Sequence, residues 1–252
     1  MPSYDFRSTR LYVDTPLTQG GEVTLDRTQT NYLLNVLRLG HGDSVLLFNG
    51  VDGEWQAILS KSGKRSLTLN VGTQQRAQTR AGDLHFMFAP LKHARLDYLV
   101  QKAVEMGASR LQPVMTRHTQ VARVNLDRMH ANAVEAAEQC GILGVPEIAK
   151  PIAFDQVAAE GDRLLVFCDE DAEVQDPVAA LVAARVRPHQ PLAILIGPEG
   201  GFAEEERLAL LSRPMVVRIA LGPRILRADT AAVAALALVQ AILGDWEGSG
   251  GK

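Results

Sequence analysis

The sequence predicts an α/β protein in two parts, a small β-barrel followed by a parallel sheet with helices on both faces. Residues 1–75 contain five short β-type runs, separated by turn signals, and a single helical pattern. From Leu84 onward, apolar strand-type runs alternate with helical patterns, as in proteins built on a parallel sheet. Two late apolar runs, 192–196 and 216–220, each lead into a loop that contains Gly-Pro. We therefore expect a ligand crevice at the carboxyl edge of this sheet.

The first predicted domain, residues 1–75, has one helix among its strands. Thr28 is a candidate cap for a helix over 29–39, and Gly40 ends it. The polar, basic stretch 74–80 is the predicted linker, and the second domain is assigned to residues 76–252. The strands of the first domain are predicted at 10–13, 22–25, 44–48, 54–60 and 66–71.

The second predicted domain follows a strand–helix rhythm. Asp176 and Pro177 form an N-cap pair that opens a helix at Val178. A later helix, 231–243, is almost wholly apolar, so it must be buried in the protein or against another subunit. Strands are predicted at 84–89, 111–115, 164–168, 192–196 and 216–220. The helix at 127–140 is expected to face inward with Met129, Ala133, Ala136, Ala137 and Cys140.

The composition is that of an ordinary globular protein. The 252 residues are 46% hydrophobic and 22% charged. The apolar runs are too short to span a membrane, and the N-terminus lacks the apolar core of a signal peptide. Cys140 and Cys168 form no motif that predicts a disulfide framework or a zinc site. We expect a cytoplasmic protein with no membrane partner and no metal.

The charge is segregated along the chain, although the net charge is only −3. Residues 55–82 and 106–126 contain no acidic side chain, while both stretches carry basic ones. Such a distribution favours a polyanionic partner, but scattered, solvated lysines and arginines remain an equal alternative. The basic side chains in these stretches are Lys61, Lys64, Arg65, Arg76, Arg80, Arg110, Arg117, His118 and Arg123.

Two loops carry the candidate chemistry. The first, 197–201, has three glycines, which allow the backbone to approach a ligand closely; a plain tight turn is the alternative. It matches neither the dinucleotide fingerprint nor the P-loop. The second loop places an apolar pair between Arg224 and Arg227, an unusual arrangement for a structural turn. Asp229 and Thr230, which follow, also suit the start of a helix.

The segments IGPEGGF (196–202) and LGPRILRADTA (221–231) resemble the signature of the bacterial 16S ribosomal RNA (uracil-N3)-methyltransferases, a family of the SPOUT superfamily. The resemblance extends over essentially the whole chain. It implies an S-adenosyl-L-methionine-dependent enzyme with an N-terminal PUA-like RNA-binding barrel. It also implies a trefoil-knotted C-terminal domain, a homodimer formed through that domain, and 16S rRNA in the small ribosomal subunit as partner. Further agreement lies at 10–12, 36–38, 42–43, Lys92, 101–103, Glu105, Gly107 and 138–139.

The resemblance also implies roles for individual residues. Methylation at N3 of uracil requires loss of the N3 proton, so Arg227 is expected to stabilise the developing negative charge on a uracil oxygen. Glu199 or Asp229 is expected to accept the proton, with a helix cap or a structural ion pair as the alternative for each. The expected cofactor-binding residues are Phe167, Cys168, Ile196, Gly197, Pro198, Gly200, Gly201, Leu221, Gly222, Ile225, Leu226 and Arg227. The expected RNA-binding residues are Arg10, Arg38, Lys61, Lys64, Arg65, Arg76, Lys92, Arg117, Arg123 and Arg224.

Two other functions remain open from the sequence. The chain could be a SPOUT methyltransferase that acts on another RNA, such as a tRNA ribose. It could also be a ribosome assembly factor that binds RNA without catalysis, although the two intact loops speak against this.

Overall fold

The computed structural model describes residues 8–60, 66–79, 82–92, 94–159, 162–173, 176–186 and 190–246. The chain divides into two compact units: unit 1 comprises residues 1–80 and 137–145, and unit 2 comprises residues 81–136 and 146–252. A short segment from the middle of the chain, 137–145, thus groups with the N-terminal residues. The domain boundary placed between residues 75 and 76 stays a prediction.

Unit 1 is built on one five-stranded sheet, as the turn-separated β-type runs predict. Its strand order is β1-β3-β4-β5-β2, in which β1 runs parallel to β3 and the remaining neighbours are antiparallel. Strands β1 and β2 are its edges, and no pairing among the described residues joins them into a closed circuit. The elements are β1 (Arg10–Tyr12), β2 (Glu22–Thr24), α1 (Arg27–Asn31), β3 (Ser44–Phe48), β4 (Glu54–Ser60) and β5 (Thr68–Arg76).

The helix of unit 1 begins earlier and is shorter than predicted. Asp26, rather than Thr28, caps it: Asp26 Oδ1 accepts the Gln29 N–H at 2.7 Å, and Gln29 Oε1 accepts the Asp26 N–H at 3.3 Å. This reciprocal pair is a capping box, which the sequence pattern Asp-x-x-Gln encodes. The helix then widens into a π-helical turn over Tyr32–Val36.

Strand β5 continues beyond its predicted end and takes up part of the predicted linker. Gln74 pairs with Trp55 and Arg76 pairs with Glu54, after register shifts in β4. Because these irregularities let the two strands stay in contact, polar residues that resemble a linker become sheet.

Unit 2 contains the strand–helix alternation that the sequence predicts. Its strands are β6 (Leu84–Phe88), β7 (Arg110–Met115), β8 (Glu147–Ile148), β9 (Ile152–Ala153), β10 (Leu164–Cys168), β11 (Leu192–Ile196) and β12 (Val216–Ile219). Its helices are α2 (Ala94–Glu105), α3 (Leu126–Cys140), α4 (Phe154–Ala159), α5 (Pro177–Ala183), α6 (Glu204–Leu211) and α7 (Ala228–Ile242); the last turn of α3 belongs to unit 1.

The sheet of unit 2 is parallel, as predicted, with the order β12-β10-β11-β6-β7-β8; β9 also pairs with β7. Strand β10 therefore lies between β11 and β12. Because all these strands point the same way, the connections that follow β10, β11 and β12 emerge side by side at the carboxyl edge.

Helices cover both faces of this sheet, which confirms the predicted layering. Leu165, Phe167 and Leu195 share one core cluster with Leu210 of α6 and Val157 of α4. Side chains alternate along a strand, so the intervening residues face the opposite side. On that side α7 contacts β11, and α2 and α5 pack against α7.

Two details of the helices differ from the predictions. Four of the five inward-facing residues of α3 are buried, but Cys140 is exposed because it is the last residue of the helix. Helix α7 begins at Ala228 rather than Ala231, with Arg227 as its N-cap residue. The strands β8 and β9 and the helix α4 were not predicted, since two-residue strands carry no readable periodicity. None of the helices among the described residues has the length and apolarity that a bilayer crossing requires.

Candidate active site

The carboxyl ends of β10, β11 and β12 surround a cavity of about 960 Å³. This volume is within the range of small-molecule sites in proteins. The two loops predicted to form a crevice do line it, and the connection after β10 forms a third wall. The lining residues are 168–170, Ala172, 196–201, 220–228 and Ala231.

Two of the three glycines of the first loop are required, Gly197 by its packing and Gly201 by its backbone conformation. A Cβ on Gly197 would lie 2.5 Å from Cε2 of Phe202, which is buried against Phe167 with ring centroids 5.0 Å apart. Gly201 has φ +68°, and a Cβ there would lie 2.3 Å from Oε1 of Glu170. Because side chains at these positions would collide, the loop backbone itself forms the cavity wall.

The second loop presents two exposed arginines. Within the described part of the chain, the exposed side chains of Arg224 and Arg227 make no hydrogen bond or ion pair. Between them Ile225 is 92% exposed. Two exposed guanidinium groups beside a cavity can bind an anionic ligand or stabilise negative charge.

The third wall contains a buried ion-pair network. The side chain of Asp169 is fully buried and pairs with Arg218 at 2.7 Å and with Arg207 at 3.3 Å. Arg207 also pairs with Glu170 at 3.3 Å and with Asp171 at 2.8 Å. Burial opposes the charged form of Arg207, but these carboxylates outweigh it and raise its pKa. The network fixes the backbone after β10 beside the cavity.

Carboxylate oxygens of Asp169, Glu170 and Asp171 lie within 4.8 Å of one another, a spacing that could also suit a cation. Arg207 pairs with all three carboxylates and supplies the neutralising charge. The expectation that the protein uses no metal stays a prediction. Nearby, burial raises the pKa of the Cys168 thiol to about 12, so this cavity residue is a neutral thiol and not a nucleophile.

The structure brings most of the predicted cofactor and catalytic residues together. Every predicted cofactor residue lines the cavity except Phe167, which is fully buried in the core beneath it. Arg227 and Glu199 also line it, and Glu199 forms an ion pair with Arg95 of α2. Asp229 does not: its Oδ1 accepts the N–H of Thr230 at 2.9 Å in the first turn of α7.

Sequence reasoning missed the acidic residues of the third wall, Asp169 and Glu170. The available signal was their position directly after a buried strand of a parallel sheet, where ligand-binding residues collect. What the sequence did not predict was that β10 would lie between β11 and β12.

Several predicted RNA-binding residues lie at the same edge of unit 2. Arg117 and Arg123 are exposed in the connection after β7, and Lys92 is exposed after β6. Arg117 pairs with Glu205 at 3.5 Å, whereas Lys92 and Arg123 have no side-chain partner within the described ranges. His118 contacts the first loop through Nδ1, which lies 3.2 Å from the Gly200 carbonyl oxygen and 3.1 Å from that of Gly201.

The predicted RNA-binding residues of unit 1 have mixed surroundings. Arg10 is only 6% exposed, and its Nε donates to Glu54 at 3.0 Å. Arg76 donates to Glu54 at 2.7 Å and to the Gly141 carbonyl oxygen at 2.9 Å. These two guanidinium groups hold unit 1 together around one buried carboxylate. Arg38 is exposed, with φ +58°. Lys61, Lys64 and Arg65 lie outside the described residues.

Comparisons with known proteins agree with both units. The family described as RNA methyltransferase domain matches residues 78–240, and the RNA methyltransferase PUA domain matches residues 25–72. Ribosomal RNA small subunit methyltransferase E of Rickettsia conorii is 30% identical over 232 residues, which is 92% of this chain and 94% of that protein. The chain belongs to the ribosomal RNA small subunit methyltransferase E family. The Bacillus subtilis member is 26% identical over 84% of this chain and 86% of that protein.

Solved structures support the same assignment. A Legionella pneumophila protein described as a methyltransferase, in complex with the bound cofactor SAM, is 27% identical with a TM-score of 0.77, over 93% of this chain and 98% of that one. The family member from Neisseria gonorrhoeae has a TM-score of 0.84 at 24% identity, over 95% and 100% of the two chains, and shows the shared fold. The resemblance, the PUA-like first domain and the α/β fold are thus confirmed. The knot stays a prediction.

Proposed function

We propose that the protein transfers a methyl group from S-adenosyl-L-methionine to N3 of one uridine in the 16S rRNA of the small ribosomal subunit. The observation that carries this proposal is the cavity at the ends of β10, β11 and β12. Both family motifs line it, and Arg227 there has no partner among the described residues. The curated relatives, named ribosomal RNA small subunit methyltransferases, support an rRNA substrate.

The groups that line the cavity suit S-adenosyl-L-methionine. Ile196, Leu221 and Leu226 provide apolar surface, and the backbone of the glycine-rich first loop provides N–H and C=O groups that can recognise an adenine. Asp169 and Glu170 also line the cavity, and the pairs of their carboxylates with Arg207 and Arg218 hold this wall in place. When bound, the cofactor supplies an electrophilic methyl group.

Arg227 is proposed to stabilise the uracil as it loses its N3 proton. The resulting negative charge is shared by N3 and the two carbonyl oxygens of the base, and a guanidinium group presents several N–H donors to such oxygens. Because Arg227 has no partner within the described residues, no existing ion pair must break before it binds the base.

Glu199 is the better supported proton acceptor. It lines the cavity, whereas Asp229 does not. The Glu199 carboxylate pairs with Arg95 of α2, which holds it at the cavity wall, and a carboxylate is a suitable proton acceptor. Asp229 is proposed to stabilise the first turn of α7, since a carboxylate is favourable at a helix N-terminus.

RNA is proposed to contact the exposed cations at the carboxyl edge of unit 2. Lys92, Arg117, Arg123 and Arg224 would bind phosphates and position the RNA, and the target base must leave its stack to enter the cavity. Arg38 is the exposed candidate in unit 1. Arg10 and Arg76 are left out of this proposal because Glu54 already engages them. Lys61, Lys64 and Arg65 stay predictions.

A homodimer formed through a knotted C-terminal domain is also proposed. Helix α7 is apolar around its circumference, yet Val233 and Leu238 are only half-buried in the single chain. On α5, Val178 and Val182 are 46% and 58% exposed. Apolar surface of this kind is typical of a subunit interface. The knot is proposed because the sequence resembles the SPOUT superfamily. The proposed location is the cytoplasm, where ribosomal subunits assemble in bacteria.

The test is a methylation assay with labelled S-adenosyl-L-methionine and small subunits from cells that lack this protein. Digestion and mass spectrometry are expected to locate one new methyl group at N3 of a uridine in 16S rRNA. Label in tRNA alone would instead indicate a different SPOUT methyltransferase. Absence of cofactor binding in calorimetry would indicate a non-catalytic assembly factor.

A further inference from the structure

A single buried carboxylate joins the start of α6, just after the first loop, to the connection between β7 and α3. Glu206 of α6 is 9% exposed. Its Oε2 accepts the N–H of Ala203, the N-cap residue of α6 and two residues after the first loop, at 3.0 Å. Its Oε1 accepts the N–H of Arg117, in the connection after β7, at 2.9 Å. Hydrogen bonds to an ionised acceptor are stronger than neutral ones, so both segments are held firmly to the same group.

His118 makes a second link, from the same connection to the first loop itself. Its Nδ1 lies within hydrogen-bond distance of the carbonyl oxygens of Gly200 and Gly201. Carbonyl oxygens only accept, so Nδ1 carries the proton, and it does so in both the neutral and the charged imidazole. A Cβ on Gly200 would lie 3.4 Å from Cβ of His118, so the histidine also packs on the loop.

The two linked segments carry the two halves of the proposed reaction. The first loop lines the cofactor cavity. The connection after β7 carries Arg117 and Arg123, the proposed phosphate contacts. Neither Glu206 nor His118 lines the cavity. Their contacts therefore act on the site through the loop backbone.

We propose that Glu206 and His118 are positioning residues that couple RNA binding to cofactor binding. This inference rests on the proposed function. RNA held by Arg117 and Arg123 restricts the connection after β7, and the two links pass that restriction to the first loop. The cofactor then binds a loop that is already ordered, so its affinity rises. By thermodynamic linkage the cofactor raises RNA affinity by the same factor.

The experiment measures this factor by calorimetry. The probes are S-adenosylhomocysteine, which has no methyl group to transfer, and a transcript of the 16S rRNA region that the methylation assay identifies. The Kd for S-adenosylhomocysteine is measured with and without saturating transcript. In the wild type we expect RNA to tighten binding by at least about fivefold, the lower end of common allosteric couplings.

Four variants distinguish a loss of coupling between RNA and cofactor binding from a loss of protein stability. Glu206→Gln keeps the size of the side chain but loses one of its two acceptor oxygens, and His118→Ala removes an exposed donor without disturbing the core. Each of these two variants is expected to reduce the coupling to less than about twofold. His118→Gln retains an N–H donor and is expected to restore the wild-type coupling. Glu147→Gln, the matched control, removes only an exposed 3.4 Å pair with Arg110 at the start of β7 and should leave cofactor affinity and coupling unchanged.

A purely structural role would lower the melting temperature and leave the ratio of the two Kd values unchanged. If Glu206→Gln does not fold, His118→Ala alone decides. The inference is overturned if Glu206→Gln and His118→Ala both keep the wild-type coupling. It is also overturned if the wild type binds both probes without coupling. Neither result contradicts the proposed function. A wild type that binds neither probe overturns both.

Discussion

Replacement of Arg227 by alanine is the most direct test of the proposed chemistry. The side chain is exposed and has no partner within the described part of the chain. Although Arg227 is the N-cap residue of α7, its side chain makes no capping hydrogen bond. The substitution therefore removes no interaction that supports the fold, and the free energy of unfolding should change by less than about 0.5 kcal/mol.

The expected effect on catalysis is much larger. Loss of one donor that stabilises a developing negative charge costs about 10²- to 10³-fold in kcat. Because Arg227 is solvent-exposed, water screens its charge, and we expect the lower end, about 10²-fold. Arg227→Lys keeps the charge but not the planar fork of donors, so it should recover only part of the rate.

The assay is multiple-turnover methylation of small subunits from cells lacking the protein, with initial rates at saturating cofactor and subunits. Arg128→Ala is the matched control, since Arg128 is an exposed arginine paired with Asp97 on the surface of unit 2. The control should retain the wild-type rate. An Arg227→Ala protein that methylates at the wild-type rate would refute the proposed role of this side chain.

Three further predictions concern the walls of the cavity and the sheet. Asp169→Asn breaks a buried ion-pair network and should lower the free energy of unfolding, measured by chemical denaturation, by about 3–5 kcal/mol. The control Asp171→Asn changes an exposed carboxylate and should lower it by less than about 1 kcal/mol. Equal effects of the two substitutions would contradict this prediction. Gly197→Ala places a Cβ 2.5 Å from the Phe202 ring and should lower the melting temperature and weaken cofactor binding in calorimetry; unchanged values of both would show that the loop adapts. Burial, together with nearby guanidinium charges, lowers the pKa of His85 from 6.5 to about 4. As the pH falls, the unfolded chain therefore binds a proton at His85 before the folded protein does. The free energy of unfolding should decrease as the pH drops from about 6.5 to 4. His85→Gln should flatten that part of the stability profile, and an unchanged slope would exclude His85 as its source.

Much of the fold could be predicted because its signals are local. The runs 44–48, 54–60, 164–168 and 192–196 coincide with the observed strands, since each is apolar or alternating and is bounded by turn residues. The errors also have local causes. The helix is capped by the capping box of Asp26 and Gln29 and not, as predicted, by Thr28. The polar end of β5 was interpreted as linker because the strand with which it pairs is distant in sequence.

The candidate site divides in the same way. The sequence alone determined that two loops, 197–201 and 221–227, follow buried strands and carry glycines and arginines suited to a ligand, because composition and spacing are local properties. Only the tertiary structure decided that β10 lies between β11 and β12, which brings Asp169 and Glu170 to the cavity. It also decided that Glu199 pairs with Arg95, that Glu54 engages Arg10 and Arg76, and that Glu206 joins α6 to the connection after β7. These contacts depend on strand order and on residues far apart in the chain, and no local pattern in a single sequence specifies which distant side chains will meet.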